Sequence, residues 1–139
     1  MLIGEYRPNI DAKGRFNFPA KLREELGESF FITRGMDNCL FVYSGEEYEA
    51  LARRIQALPL TKAKGLQRFF FSGAAEVTCD AQGRLVVPPL LREHAGLQRE
   101  IVVIGASTRA EIWDREAWER QCGQLTDEAV ELAMEELGF

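Results

Sequence analysis

Apolar and polar positions along this chain fall into short blocks, and the blocks recur. Leu2, Gly4 and Tyr6 alternate with Ile3 and Glu5 until Pro8-Asn9 closes the run, which predicts a first strand. Arg15-Phe16-Asn17-Phe18 alternates polar with apolar, the pattern of a half-buried second strand. Pro19 suits the first turn of a helix, and the spacing predicts a short helix over Ala20–Leu26 that Gly27 stops. Phe30–Thr33 and Cys39–Tyr43 are apolar runs on either side of Gly35-Met36-Asp37-Asn38, a strand pair with its turn. Ser44 with Glu47 forms a capping box, and Tyr48, Leu51, Ala52, Ile55 and Leu58 follow in one helical stripe that Pro59 ends. A further helix is expected over Thr61–Phe71, with Leu66, Phe69 and Phe70 on its apolar side. Phe69-Phe70-Phe71 is more apolar than a surface helix requires, so it is expected in the core or against a neighbouring subunit.

The second half repeats this order. Ala74–Cys79 and Leu85–Val87 read as strands, Pro88–His94 as a short helix, and Ile101–Ile104 with Glu111–Trp113 as a strand pair. Asp114 stands where Ser44 stood and is expected to cap the helix that contains Trp118. The repeat is literal around one motif: Asp11-Ala12-Lys13-Gly14-Arg15 returns 69 residues later as Asp80-Ala81-Gln82-Gly83-Arg84. Phe16-Asn17-Phe18-Pro19 then matches Leu85-Val86-Val87-Pro88, Leu22-Arg23-Glu24 matches Leu91-Arg92-Glu93, and Gly27 matches Gly96. One supersecondary unit is written twice. Each copy has too few strands to bury its own apolar faces, so the two are expected to interleave in one barrel about a pseudo-two-fold axis. The chain divides into residues 1–59, the first repeat with its helix; 60–122, a connecting helix and the second repeat; and 123–139, an acidic C-terminal helix. No linker separates them, and together they form one compact domain. Thr126 is expected to cap the last helix, with Ala129, Val130, Ala133, Met134 and Leu137 facing inward. That helix lacks a counterpart after the first unit and reads as an appendage.

Composition bounds the class. The 139 residues, 46% hydrophobic and 28% charged, are those of a folded globular chain. No apolar run approaches the roughly 20 residues of a membrane helix. The start of the chain has neither a basic region nor a long apolar stretch, so a cytoplasmic location without a membrane partner is expected. Cys39, Cys79 and Cys122 are odd in number, far apart and without histidine spacing, which suggests neither a disulfide framework nor a zinc site and reads as buried reduced thiols. The net charge of −5 hides an asymmetry. Residues 1–92 carry 13 Lys/Arg against 11 Asp/Glu, and residues 93–139 carry 4 against 11. A basic face on an acidic protein is therefore available.

The repeated motif carries the chemistry. An Asp and an Arg bracketing a glycine turn can pair, but an exposed pair contributes only about 0–1 kcal/mol. Held in a loop, the Asp can instead fix the guanidinium so that its other donors face outward, toward a phosphate or a guanine edge. On this reading Arg15 is the reader, Asp11 its orienter and Lys13 a phosphate contact, while Gly14 lets the backbone approach DNA closely. Asp80 and Arg84 either repeat this role or staple the hairpin, since Gln82 replaces the lysine. Arg7 is either an extra phosphate contact or plainly solvated, and Lys62, Lys64 and Arg68 read as a solvated helix face.

Two Asp-x-x-Gly-Arg loops, each followed by an apolar strand, a proline and a short helix with Leu-Arg, resemble the AbrB-like swapped-hairpin barrels. With Gly4-Glu5-Tyr6, Pro19-Ala20-Lys21 and the run from Asp80 through Arg92, residues 1–122 resemble more closely the MraZ family of bacterial transcriptional regulators. The resemblance implies an α+β fold: a pseudo-two-fold swapped-hairpin barrel with short flanking helices. It also implies a ring-shaped homo-oligomer, often an octamer, that binds tandem short repeats in promoter DNA. Such a protein is nucleoid-associated and regulates, mainly represses, its own division and cell-wall gene cluster. The DNA-contacting arginine of the family corresponds to Arg15 and, by repeat position, Arg84. Phe16-Asn17-Phe18 departs from the usual aliphatic-serine-aliphatic run, and residues 123–139 lie outside the resemblance.

Other classes find less support. His94 is the lone histidine, its repeat partner is Glu25, and no phosphate loop, nucleophile elbow or metal motif is present, so the chain reads as a non-enzyme without cofactor. The alternative is a protein-binding module, antitoxin-like or scaffolding, with DNA contact secondary. The helix Asp127–Phe139 and Phe69–Phe71 would be its surfaces.

Overall fold

The strands are short because turns and prolines interrupt them, and they gain stability only by pairing across the two repeats. The computed structural model describes residues 1–139. It is a mixed α+β chain with strands β1 (Glu5–Tyr6), β2 (Arg15–Asn17), β3 (Ser29–Arg34), β4 (Leu40–Ser44), β5 (Ala75–Thr78), β6 (Arg84–Val86), β7 (Ile101–Gly105) and β8 (Ala110–Asp114). The helices are α1 (Ala20–Leu26), α2 (Gly45–Gln56), α3 (Leu60–Phe71), α4 (Pro89–Ala95), α5 (Arg115–Gln124) and α6 (Asp127–Met134).

Local chemistry explains most of the boundaries. Ser44 Oγ accepts from Glu47 N at 3.2 Å and caps α2 as expected. Asp114 does not cap α5: its Oδ1 accepts instead from Gln98 N at 3.3 Å. The first strand is shorter than expected, because Gly4 at φ +103° breaks the run and leaves Leu2 only an isolated bridge to Ser107. Pro19 and Pro88 stand just outside their helices rather than within the first turn, and their carbonyls accept the first helical bonds.

The pairing is palindromic. Six strands form one antiparallel sheet in the order β1-β7-β8-β4-β3-β5, and β2 and β6 form a separate ribbon. The expected closed barrel is not what the hydrogen bonds build: β1 and β5 remain as the two edges of an open sheet. The expected interleaving does occur. The first strand of each repeat pairs with the third strand of the other, β1 with β7 and β5 with β3. Two register pairs join a residue to its own counterpart: Phe16 to Leu85 in the ribbon and Phe41 to Glu111 at the centre of the sheet. The pseudo-two-fold axis runs through both.

Two cores follow. Eighteen buried residues, from Phe16, Phe18, Leu22 and Phe30 to Leu85, Leu91, Val103 and Ile112, come from both repeats. A second cluster holds Cys39, Phe41, Tyr43, Tyr48, Ile55, Ala63, Phe70, Val102 and Trp113. Leu40 and Val42 of β4 face the first core while Phe41 and Tyr43 face the second, so the central strand is covered on both sides. Phe70 is buried in this second core, with Phe69 and Phe71 packed against it.

The last helix departs from expectation. Thr126 does cap it, with Oγ1 accepting from Ala129 N at 3.1 Å. The residues expected inward are not, however: Val130 is 42% exposed and Leu137 72%, Ala129 and Ala133 are exposed, and Met134 is half-buried. The helix also follows α5 as α3 follows α2, so in repeat order it has the counterpart that periodicity did not reveal. The two differ in how they are held. The C-terminal carbonyl of Phe70 in α3 accepts from Thr33 Oγ1 and from Tyr48 OH, each at 2.7 Å, and Phe69 O accepts from Arg34 Nε at 3.0 Å. The counterparts in the second repeat are Ile104, Trp118 and Gly105. Two of these have no side-chain donor, and Trp118 Nε1 is spent on Glu5 at 3.3 Å.

Phe16→Ala is expected to cost about 3–5 kcal/mol in a denaturant titration, because it opens a cavity where the two repeats meet. Lys64→Ala, on the solvent side of α3, should stay within about 0.5 kcal/mol of the parent.

Candidate nucleic-acid interface

Each Asp-x-x-Gly-Arg motif is the turn that leads into a ribbon strand, and the two turns are built alike. Asp11 Oδ1 accepts from Lys13 N and Arg15 N, both at 2.9 Å, and its Oδ2 accepts from Arg15 Nε at 3.0 Å. Asp80 does the same for Gln82 N and Arg84 N at 2.9 Å and for Arg84 Nε at 3.0 Å. The backbone closes each turn, with Asp11 N donating to Arg15 O at 2.9 Å and Asp80 N donating to Arg84 O at 2.8 Å. A carboxylate that accepts two backbone N–H groups and a guanidinium N–H favours its ionised form. Asp11 and Asp80 are accordingly held below the usual aspartate range, chiefly by the backbone bonds from Arg15 and Arg84 respectively.

This arrangement leaves the useful donors unused. Only Nε of each arginine is engaged, so both terminal nitrogens of Arg15 and Arg84 are without a partner in the chain. The two side chains are 42% and 43% exposed, too open for the pairs to contribute much stability. What the bonds supply is orientation: a planar fork fixed at its base and free at its tip.

The two turns support each other across the axis. Val87 N donates to Gly14 O at 2.8 Å, and Phe18 N donates to Gly83 O at 3.0 Å. Gly14 and Gly83 have φ of +83° and +81°, a region that side chains disfavour. Gly14 is buried, and a Cβ there would lie 2.8 Å from both Val87 O and Arg92 Nε. The space beside it is thus filled by the protein. Arg92 Nη1 donates to Ala12 O at 3.1 Å, so an arginine from the second repeat's helix braces the first turn. Arg23, its counterpart, stands beside Gly83, where a Cβ would come within 2.6 Å of Nη1. Arg23 and Arg92 were not singled out from the sequence, although their place in both copies of the Leu-Arg pair was a usable signal.

The remaining candidates are dispersed. Lys13 is exposed, and only its backbone N–H is bonded, to Asp11. Arg7 is tied to Glu5 through Nε at 3.0 Å and Nη2 at 2.9 Å. Lys62, Lys64 and Arg68 are exposed on α3, as expected for a solvated face. His94 Nε2 lies 3.2 Å from Gly35 O, a structural contact. Of the cysteines only Cys39 is fully buried, and burial pushes its thiol far up; Cys79 is half-buried and Cys122 is exposed, contrary to expectation. No group of three or more His, Cys, Asp or Glu side chains is placed to hold a metal ion. No helix is long and apolar enough to cross a membrane.

A family model described as "MraZ protein, putative antitoxin-like" matches residues 1–67 and 70–137. The chain belongs to the MraZ family. Both copies of the motif fall inside the match, and the second segment runs through α6, so the acidic C-terminal stretch belongs to the family's extent. The chain is similar to a protein of Caldicellulosiruptor saccharolyticus named Transcriptional regulator MraZ, 50% identical over 143 residues and covering all of both chains. A Thermoanaerobacter protein of the same name is 50% identical over 99% of this chain and 96% of its own. One from Heliobacterium modesticaldum is 49% identical over 100% and 99%.

Because the aspartates are depressed, the bonds that orient Arg15 and Arg84 are present at neutral pH and disappear as pH falls through the lowered values. In an NMR titration the Lys13, Arg15, Gln82 and Arg84 amides are expected to hold constant through the usual aspartate range and move together below it. Gly14→Ala and Gly83→Ala are each expected to lower the melting temperature, since each forces a Cβ into positive φ and against an arginine.

Proposed function

We propose that this chain is a sequence-reading DNA-binding transcriptional regulator, with Arg15 and Arg84 as base or phosphate readers. Asp11 and Asp80 act as their orienters and Lys13 as a phosphate contact. The observation that carries this reading is the pair of guanidiniums anchored through Nε on one ribbon with their terminal nitrogens free. The names of the relatives agree with it. Gly14 serves by shaping the turn, and Arg7 contributes a second-rank phosphate contact, since Glu5 already engages it.

The same reading includes self-assembly. One ribbon offers few contacts and modest affinity. Repeated around a ring of copies, on tandem promoter repeats, each further contact becomes intramolecular and avidity rises. Local loop charge then makes the contact, while the acidic remainder of the chain suppresses non-specific binding. On this reading the regulator acts in the cytoplasm on the nucleoid, as a repressor of its own division and cell-wall cluster.

A second reading has its own support: α6 and the short helical turn Glu135–Leu137 after it present exposed Val130, Leu132 and Leu137 on an acidic segment, which suits a protein partner. It would make the chain an antitoxin-like binding module with secondary DNA contact.

The test is binding to a labelled fragment of the gene's own upstream region, beside a scrambled fragment, at physiological salt. The parent is expected to prefer the native fragment, with log K falling by about 0.9 per phosphate neutralised as log salt rises. Arg15→Ala should lose roughly tenfold or more without loss of assembly. Equal weak binding to both fragments, with a stoichiometric protein recovered on α6, would move the assignment to the second reading.

A further inference from the structure

We propose that Asn17 and Val86 are specificity-determining residues that read different base edges from equivalent places on the β2–β6 ribbon. The inference rests on the DNA-binding reading above.

Residues directly opposite in an antiparallel pair share a face. Phe16 and Leu85 point inward and are buried, so Arg15, Asn17, Arg84 and Val86 share the outer face. In register, Arg15 stands opposite Val86, and Asn17 stands opposite Arg84. The pseudo-two-fold axis carries Arg15 onto Arg84 and Asn17 onto Val86. The outer face is therefore two arginines, each beside a second residue, and only the second residue differs between the halves. The arginines are anchored identically and cannot tell one half of a site from the other.

Stability does not account for the difference. Asparagine is a poor strand residue, and Asn17 sits in an exposed strand position without a hydrogen bond from its side chain to the rest of the chain. Its free amide offers one donor and one acceptor side by side, the pair that matches N6 and N7 of adenine. Val86 is 50% exposed on a face otherwise made of polar groups. It lines a groove of about 260 Å³ together with Arg15, Val77, Thr78, Asp80, Arg84 and Leu85. An apolar branched side chain there suits the thymine methyl, the one apolar feature of a base edge in the major groove. A two-stranded ribbon is an element which that groove admits. A symmetric reader imposes a palindrome on its site. This ribbon imposes none at the two positions that Asn17 and Val86 contact.

The experiment is selection from a duplex library randomised over about one helical turn of 10 base pairs, using the full chain. The parent, Asn17→Val, Val86→Asn and the double exchange are compared, with melting curves as a check that each is folded. The parent is expected to select one motif. Asn17→Val should replace its adenine preference by thymine at a single position, losing tenfold or more discrimination there and keeping the salt slope. Val86→Asn should do the reverse at the partner position, and the double exchange should transpose the two preferences. Retention of the parent motif by both folded single variants overturns the inference and leaves the DNA-binding reading in place. A parent that selects no motif overturns that reading, and this inference with it.

Discussion

Everything in this molecule depends on strands being exchanged between its two halves. A single repeat has a two- or four-residue first strand, a three-residue second strand and a hairpin, too little to bury an apolar face alone. Pairing β1 with β7 and β5 with β3 gives each half the neighbour it lacks, and pairing β2 with β6 places both Asp-x-x-Gly-Arg turns on one ribbon. The site is thus a product of the interleaving. Neither turn is complete without the other repeat, which supplies the amide that bonds the glycine carbonyl and the arginine packed beside the glycine.

The fixed orientation of Arg15 and Arg84 follows from the same economy. Four residues of turn supply two backbone N–H groups, and one carboxylate oxygen accepts both. The other oxygen is then left facing the arginine. With the first oxygen occupied by backbone, the guanidinium meets the second through Nε alone, and its terminal nitrogens keep no partner in the chain. An exposed ion pair of little energetic weight becomes a positioning device because its carboxylate is already immobilised.

Much of this was legible in the sequence. The literal repeat of the motif, with its proline and Leu-Arg flanks, predicted two interleaved copies, and the alternation of Arg15-Phe16-Asn17-Phe18 predicted which side chains would be buried. Ser44 and Thr126 were readable as caps because a cap is a local interaction. Asp114 was misread for the opposite reason: its carboxylate is claimed by Gln98, a residue 16 positions earlier, and no local pattern reports a long-range competitor. Sheet closure depends on how far strands extend, and Gly4 cuts the first strand short. The inward-facing α6 was expected from its amphipathic spacing. In the first repeat Thr33 and Arg34 also donate to the end of α3; the second repeat has Ile104 and Gly105 at those places, which offer α6 no such side-chain bonds.

The pair at the centre of the sheet has a consequence for how such a molecule can diverge. Where two identical chains meet about a two-fold axis, the residue on the axis must face its own copy, so whatever one side carries the other carries too. Here Phe41 faces Glu111. Glu111 accepts from Arg109 at 2.7 Å and from Trp113 Nε1 at 2.9 Å, while the Arg109 guanidinium lies 4.3 Å above the Phe41 ring. Two facing glutamates would repel in a buried place, and two facing phenylalanines would leave Arg109 without its carboxylate. Joining both halves in one polypeptide removes that constraint: a substitution on one side of the axis no longer arrives twice. Covalent fusion therefore does more than hold the halves together, because it lets a symmetric frame acquire a left and a right.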